Sequence, residues 1–202
     1  MGKIFVITGP TCAGKDTICS ALFQSKDFVK ENNLEQVVRY TNRAQRENEE
    51  NGKDYNFRSD KEMELLILSD FFIEYSSFQK YESSSKYVTT IYGTSFESIE
   101  DPEKNYVLTG SIEVFRDIKE ALPEGCVFPI VVDAPDRARL ERYLKRNNDD
   151  SGIEICRRII DDDKKYNNEV YESLGITEEN IFINTNVDIT YSDPIRTLIR
   201  SE

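Results

Sequence analysis

The segment GPTCAGKDT, residues 9–17, constrains the fold of this chain more than any other stretch. It follows the apolar run KIFVITG at 3–9 and precedes residues 15–23, in which apolar side chains recur at helical spacing. Glycines let backbone N–H groups turn inward without a Cβ clash, and the N-terminus of the following helix faces an anion. The order of strand, glycine-rich turn and helix therefore predicts a phosphate-binding loop.

The loop supplies candidate ATP-binding residues, and one of them departs from the usual pattern. Lys15 would reach the β and γ phosphates, and Thr17 could hydrogen-bond an adjacent phosphate. The residue after the lysine is usually a magnesium-binding hydroxyl, but here it is Asp16. A carboxylate is a hard oxygen ligand, so we expect Asp16 to hold Mg²⁺ directly or through water; an acid favoured by the helix dipole is the alternative. The candidates in the loop are Gly9, Pro10, Thr11, Cys12, Ala13, Gly14, Lys15, Asp16 and Thr17.

The composition excludes several classes of function. A chain of 202 residues with a net charge of −12 repels polyanionic nucleic acid, so we expect no such partner. No apolar run reaches the roughly 18 residues of a membrane span, and we expect no membrane association. Four cysteines without a C-x-x-C pair suit a reducing cytoplasm. The chain has no histidine, which excludes Ser-His-Asp chemistry and His-ligated zinc.

Strand-like and helix-like segments alternate along most of the chain, which predicts an α/β fold with a parallel sheet covered on both faces. After the first strand, the strand candidates are 105–111, 126–134 and 180–186. Helices are expected at 112–122, 136–147, 152–173 and, as a short last helix, after Asp193-Pro194. The stretch 35–95 is rich in Tyr, Ser, Thr and charge, and we expect a small strand-rich insertion there. The length favours a single domain.

A second motif is RYTNRAQRENEENGKDYNF, residues 39–57. It resembles the nucleoside-monophosphate-binding stretch of guanylate kinases, T-T-R-x-x-R-x-G-E-x-x-G-x-D-Y-x-F. Two arginines three residues apart and a tyrosine hydroxyl can surround one phosphate dianion through charge-assisted hydrogen bonds. A solvated charged loop would explain RENEEN alone, but not the whole spacing. The matching residues are Thr41, Arg43, Arg46, Glu49, Gly52, Asp54, Tyr55 and Phe57.

The resemblance covers most of the chain and implies further site residues. FFIEY at 71–75 is similar to the family's segment whose acid accepts hydrogen bonds from guanine, and IYGTS at 91–95 to its turn beside the monophosphate and base. RYLKRNNDDSGIEICRR at 142–158 is similar to a lid whose arginines close over the ATP phosphates. The residues carried over are Glu74, Tyr92, Gly93 and Thr94 for the acceptor, Arg142, Arg146 and Arg157 for the lid, and Asn184 beside adenine.

The resemblance also implies the architecture, which would be the three-layer α/β sandwich of P-loop NTPases with a parallel central sheet. An inserted strand-rich region would bind the nucleoside monophosphate, and a helical lid would close over ATP. The implied parts are a core of 1–34, 96–135 and 174–202, an insertion of 35–95 and a lid of 136–173.

Three positions depart from the family pattern. The family's serine four residues before the first arginine of the motif is Arg39 here, and its D-x-D after the middle strand is replaced by Thr109 and Ser111. Those positions help to hold guanine or metal-bound water, so the departures imply that base recognition is weakened or rewired while the phosphoryl machinery is kept. Asp16 could compensate for an acid lost from the other side of the metal site.

These features predict a kinase that uses Mg²⁺ and transfers the γ-phosphoryl group of ATP to a nucleoside monophosphate, with GMP or dGMP as the first choice. The acceptor is already an anion, so no general base is needed, which agrees with the absence of histidine. A sugar-phosphate kinase resembling ribose bisphosphate phosphokinases and a non-catalytic guanylate-kinase-like binding module are the alternatives. The retained Gly14 and Lys15 argue against the module. We expect a monomer or homodimer.

Overall fold

The core of the protein is a parallel sheet. The computed structural model describes residues 2–47, 49–82, 86–146, 152–185 and 192–202. Strand β1 (Ile4–Thr8) pairs on its two sides with strands that follow much later in the chain. The strands of this sheet in the order β2-β7-β1-β8-β9 are Leu34–Gln36, Asn105–Thr109, Ile4–Thr8, Val127–Asp133 and Ile181–Ile183. All of their pairings are parallel.

Both faces of this sheet are buried. Successive residues of a strand point to opposite faces, so Ile4 and Val6 join one apolar cluster while Phe5 and Ile7 join the other. One cluster includes α4 (Ile112–Ala121) and α7 (Asn168–Leu174), and the other includes α1 (Lys15–Gln24), α2 (Lys26–Glu31) and α8 (Ser192–Ser201). A strand buried on both faces is apolar throughout, which explains the run KIFVITG. The predicted α/β fold with a parallel central sheet is confirmed.

A second, smaller sheet is built from the middle of the chain. Its order is β4-β3-β6-β5, and the strands in chain order are β3 (Tyr40–Thr41), β4 (Asn56–Phe57), β5 (Phe72–Glu82) and β6 (Lys86–Ser95). The pairs β3–β6 and β5–β6 are antiparallel, whereas β3–β4 is parallel. The stretch expected to be strand-rich thus forms its own sheet. Because Leu34–Gln36 pairs within the core sheet, the second sheet begins only at Tyr40.

The second sheet also carries a helix that the sequence analysis did not predict. Helix α3 (Asp60–Leu68) begins with a capping box, in which Ser59 N–H donates to the Glu62 carboxylate at 2.7 Å and Glu62 N–H donates to the Ser59 hydroxyl at 3.3 Å. The S-x-x-E spacing before an apolar run was the available signal. The surrounding stretch is rich in polar and charged residues with short alternating runs, which favoured the prediction of strands instead.

One predicted helix, 152–173, is wrong as a single element. It is divided into α6 (Ile153–Asp163) and α7, because Asn167 is extended at φ −142° and ψ 167° and its side chain accepts the N–H of Val170 at 3.1 Å. Before this cap, the Tyr166 hydroxyl turns towards the core and accepts the N–H of Ile112 at 3.1 Å. The break therefore anchors the chain to the core sheet.

The other predicted helices are found close to their expected positions. Helix α5 covers Asp136–Arg146, α4 starts at Ile112, and Pro194 lies in the first turn of α8. Short 3₁₀ turns cover Phe96–Ile99 and Glu178–Asn180. None of the helices in the described ranges has the length and apolar character that a bilayer crossing needs.

Candidate active site

The loop between β1 and α1 depends on two glycines. Gly9 has φ 142° and Gly14 has φ 104°, both in the left-handed region. A Cβ on Gly9 would overlap the carbonyl oxygen of Val132, and one on Gly14 would overlap the side-chain nitrogen of Asn184. Glycine is therefore needed at both positions for steric as well as conformational reasons. Helix α1 begins directly after the loop, so its N-terminal N–H groups are available to an anion.

Lys15 lies across the loop. Its Nζ donates to the carbonyl oxygens of Gly9 at 2.7 Å and Pro10 at 3.0 Å. An ammonium group has three donors, so one N–H remains for a phosphate oxygen. Burial lowers the pKa of Lys15, while the nearby carboxylates of Asp16 and Asp162 act in the opposite direction.

A buried ion pair that the sequence analysis missed holds the back of the loop. Arg139 is 2% exposed, and its Nε donates to the carbonyl of Thr11 at 2.9 Å. Its Nη2 pairs with Asp162, whose carboxylate also accepts the N–H of Thr11 at 2.7 Å. The pair therefore fixes both backbone groups of one loop residue. Arg139 also donates to Asp136 at 2.9 Å.

Arg142 and Asn184 hold the loop on its next residues. Arg142 Nη1 donates to the carbonyls of Cys12 at 3.2 Å and Ala13 at 3.1 Å, and its Nη2 donates to the carbonyl of Asn184 at 3.0 Å. The buried side chain of Asn184 donates to Ala13 at 2.8 Å. The resemblance implied that these two residues contact ATP. In this structure both contact the loop itself.

Arg157, another of the expected lid arginines, lies apart from these loop contacts. The Arg157 side chain is 55% exposed and pairs with Glu154 at 2.9 Å and Asp161 at 2.7 Å. Hydrogen bonds from Arg157, and then from Arg158, lower the pKa of Glu154 to about 2. Arg146 ends α5, and its side chain lies outside the described part of the structure.

The arginine segment forms a rigid pair on the opposite side. Arg43 meets the carboxylate of Glu49 through two parallel hydrogen bonds, of 2.8 Å from Nη1 and 2.7 Å from Nη2. This bond raises the pKa of Arg43 and lowers that of Glu49. The guanidinium also lies 5.1 Å from the ring centre of Tyr55. Arg46 is the freer cation, with a side chain 75% exposed and 3.8 Å from Glu49.

The other predicted acceptor residues belong to the second sheet. Thr41 is buried in β3, and its hydroxyl accepts the N–H of Arg43 at 3.2 Å. Tyr92 and Gly93 are neighbours on β6, where the Tyr92 ring centre lies 5.7 Å from that of Tyr55. A Cβ on Gly93 would come within 2.7 Å of the Phe72 ring, so this position requires a glycine.

Glu74 and Thr94 are buried behind Arg39. Arg39 Nη2 donates to Glu74 Oε1 at 2.6 Å, and its Nε donates to the Thr94 hydroxyl at 3.0 Å. The Thr94 hydroxyl in turn donates to the same carboxylate oxygen at 2.6 Å. Sequence reasoning marked Arg39 as a departure from the family pattern, but it did not anticipate this ion pair.

A cavity of about 380 Å³ connects the two sides of the site. Such a volume suits a small ligand. Helix α1 borders it on one side and the arginine segment on the other. Withdrawal from solvent raises the pKa of Tyr55 in its wall, and the Asp16 carboxylate adds to the rise. The lining includes Asp16, Arg39, Arg43, Arg46, Tyr55 and Tyr92.

Asp16 is an exposed carboxylate at this cavity, one residue before the exposed Thr17. Thr109, one of the two residues that replace the family's acids, lies on the same wall. In the part of the chain that the structure describes, no three Asp, Glu or Cys side chains converge as a metal cluster. Mg²⁺ is commonly held by one or two carboxylates together with substrate phosphates and water, so a single carboxylate beside a phosphate loop fits this ion.

Comparison with known proteins gives a consistent assignment. The guanylate kinase family model matches residues 1–182. The guanylate kinase of Caldanaerobacter subterraneus subsp. tengcongensis is 30% identical over 205 aligned residues, which cover 100% of this chain and 88% of that protein. The guanylate kinase of Streptococcus thermophilus is 34% identical, with 78% of this chain and 70% of that protein covered. The crystal structure of guanylate kinase from Anaplasma phagocytophilum shares the fold, with a TM-score of 0.63 at 20% identity over 99% of this chain and 85% of that chain.

Replacing Arg139 with leucine should destabilise the protein, because the substitution leaves the Asp162 carboxylate without its cation. Breaking a buried ion pair from one side typically costs about 3–5 kcal/mol in the free energy of unfolding, which urea titration measures. Arg137→Leu is the matched control on the same helix, since that side chain is 90% exposed and pairs with Glu141 at the surface. Equal losses of unfolding free energy in the two variants would contradict the structural role of the Arg139–Asp162 pair.

Proposed function

The chain belongs to the guanylate kinase family of phosphotransferases, and on this basis we propose that it transfers the γ-phosphoryl group of ATP to GMP or dGMP, giving ADP and GDP or dGDP. The observation that carries the proposal is the single cavity bordered by the helix after the phosphate loop and by Arg43 and Arg46. An anion-binding helix N-terminus and a pair of guanidinium groups can then hold two phosphate groups next to one another.

On the donor side, the loop and Lys15 would bind the β and γ phosphates. The C=O and N–H groups of a trans peptide point in opposite directions. Because the carbonyl of Ala13 is directed at Arg142, the N–H of Gly14 points away from that arginine, towards the side open to phosphate. Arg142 thereby orients the loop, and the third N–H of Lys15 supplies a point charge.

On the acceptor side, Arg43 and Arg46 would bind the monophosphate with the hydroxyls of Tyr55 and Tyr92. The bidentate bond to Glu49 fixes the orientation of Arg43, so little side-chain freedom is lost when a phosphate binds. The attacking group is a phosphate oxygen that already carries charge. The reaction therefore depends on approximation and electrostatic stabilisation, and it requires no side-chain base.

Asp16 would hold Mg²⁺ together with phosphate oxygens. When bound, the ion supplies positive charge that neutralises the transferring phosphoryl group. Thr109 and Ser111 provide no carboxylate where the family pattern has acids, so the charge of Asp16 serves in their place.

The lid would close over ATP by means of α5 and α6. Arg157 reaches the phosphates only if it exchanges its bonds to Glu154 and Asp161 for bonds to ATP, and Arg146 would approach from the end of α5. Closure would exclude water, which limits hydrolysis of ATP. In this assignment the second sheet with α3 binds the acceptor, α5 to α7 form the lid, and the rest is core.

The same proposal includes the cellular setting. We expect a cytoplasmic enzyme of purine nucleotide metabolism, active as a monomer or homodimer, which takes small nucleotides and no nucleic acid. The net charge of −12 disfavours nucleic acid, while the guanidinium groups of Arg43 and Arg46 can bind a small anion through charge-assisted hydrogen bonds.

The proposed activity is tested by Mg²⁺-ATP turnover with a panel of phosphoryl acceptors. Chromatography separates the products. GMP and dGMP should give their diphosphates, and AMP, UMP, CMP and dTMP should react far more slowly. Turnover of ribose bisphosphate in place of every nucleotide would support a sugar-phosphate kinase instead. ATP binding and turnover both being absent would support a binding module.

Lys15→Ala and Arg43→Ala should each lower kcat/KM for phosphoryl transfer by about 10² to 10³, since each removes a preorganised donor from a charged site. Steady-state kinetics measures the loss, and circular dichroism checks that the variants are folded. Lys53→Ala is the control, because the exposed Lys53 side chain forms a surface ion pair with Glu50, at 3.4 Å. Near-normal turnover of either site variant would refute the assigned role.

Asp16→Ser should raise the Mg²⁺ concentration needed for half-maximal activity by about 10- to 100-fold, the range found when metal-site support is removed. The titration is run at fixed ATP and GMP. Asp27→Ser, in the first turn of α2, is the control because it removes an exposed acid with the same helix position and no place in the cavity. An unchanged titration for Asp16→Ser would show that the carboxylate does not serve the metal.

A further inference from the structure

Arg39 lies at the floor of the cavity and forms a buried triad with Glu74 and Thr94, which lie behind it. Glu74 Oε1 accepts two hydrogen bonds, one from Arg39 and one from the Thr94 hydroxyl, both at 2.6 Å. Glu74 Oε2 is buried and has no hydrogen-bond partner among the described residues. The Glu74 side chain is 1% exposed. A base in the cavity therefore cannot reach this carboxylate while Arg39 stays in place.

Arg39 is the member of the triad that faces the cavity. It belongs to the lining, whereas Glu74 and Thr94 do not. Its Nε and Nη2 are bonded to the other two members, and Nη1 has no hydrogen-bond partner among the described residues. The Tyr92 ring centre lies 6.0 Å from the guanidinium carbon. Arg39 therefore presents N–H donors on a fixed planar group to the cavity, while the Glu74 carboxylate behind it is inaccessible.

Resting on the proposed function, we propose that Arg39 reads the base of the acceptor, and that it selects a carbonyl oxygen at position 6 of a purine rather than the 2-amino group of guanine. Guanidinium groups pair with the O6 and N7 acceptors of guanine. A carboxylate would instead read the N–H groups at N1 and at the 2-amino position. Adenine carries an amino donor at position 6, so a donor would face the Arg39 donors.

The proposal makes distinct predictions for three phosphoryl acceptors, GMP, IMP and AMP, whose bases differ by single groups. GMP and IMP both have the 6-oxo group, and only GMP has the 2-amino group. A group that the site does not contact changes kcat/KM little, whereas a site built to hydrogen-bond a group rejects an analogue without it by about 10⁴ to 10⁵. We therefore expect GMP and IMP to be comparable substrates and AMP to be rejected.

The experiment measures kcat/KM of the wild-type enzyme for GMP, IMP and AMP at saturating Mg²⁺-ATP. A GMP-to-IMP ratio below about 30, with AMP at least about 10³-fold poorer than GMP, is the expected result on the usual scale of hydrogen-bond discrimination. A larger GMP-to-IMP ratio, or efficient use of AMP, would overturn the proposal. This comparison needs no variant, so it does not depend on whether a substitution folds.

Arg39→Ser tests the residue itself. The serine uncovers Glu74, whose carboxylate can then accept from N1 and the 2-amino group, so the GMP-to-IMP ratio should rise by at least about tenfold. A merely structural role for Arg39 would lower both rates and leave the ratio unchanged, which would overturn the proposal. Arg58→Ser is the matched control, because the Arg58 guanidinium lies 5.3 Å from the Tyr40 ring centre in the same sheet and is absent from the cavity lining. Its ratio should stay at the wild-type value.

Glu74→Gln serves if Arg39→Ser does not fold. The amide keeps the shape of the side chain, and with Arg39 still covering it the GMP-to-IMP ratio should not change. A collapse of GMP turnover towards that of IMP would mean that the carboxylate reads the base, against the proposal. Failure of the proposed function is distinct from these outcomes, since in that case no nucleoside monophosphate is phosphorylated at all.

Discussion

The steric requirement at the two glycines of the phosphate loop is the constraint on which the rest of the site depends. Gly9 lies against the backbone of β8 at Val132, and Gly14 lies against the Asn184 side chain after β9. The loop is therefore seated on the ends of two strands that come more than a hundred residues later in the chain. The parallel order β1-β8-β9 creates this seat, because it brings the carboxyl ends of those strands to one edge of the sheet.

Two helices that we propose as parts of the lid, α5 and α6, also contact the phosphate loop. Arg139 and Arg142 extend from α5 to successive carbonyls of the loop, and Asp162 on α6 bonds its backbone from the other side. These interactions are charged and at least partly buried, so they hold the loop in one conformation more firmly than neutral hydrogen bonds would. Arg142, which the resemblance assigned to ATP, thus holds the loop in this structure.

Two arginine–carboxylate pairs lie on the proposed acceptor side, and they differ in which partner faces the cavity. In the pair of Arg43 and Glu49, the carboxylate orients a guanidinium group that lines the cavity. In the pair of Arg39 and Glu74, the guanidinium group covers the carboxylate and itself faces the cavity. The chain is strongly acidic overall, yet three guanidinium groups line its cavity, those of Arg39, Arg43 and Arg46, beside the carboxylates of Asp16, Glu49 and Asp54. Local arrangement decides which anions bind, and net charge decides only which large partners are repelled.

The sequence by itself determined the phosphate loop, the α/β alternation, and the spacing of the arginine segment, because each of these is encoded by neighbouring residues in one stretch of chain. It also exposed Asp16 and Arg39 as departures from a pattern. It missed the division of the helix at Asn167, which accompanies a contact between Tyr166 and the distant N–H of Ile112. Only the tertiary structure decided that Arg39 pairs with Glu74, 35 residues away, and Arg139 with Asp162, 23 residues away. The physical reason is that a buried ion pair is set by packing and desolvation between distant segments, and neither leaves a signal in local residue spacing.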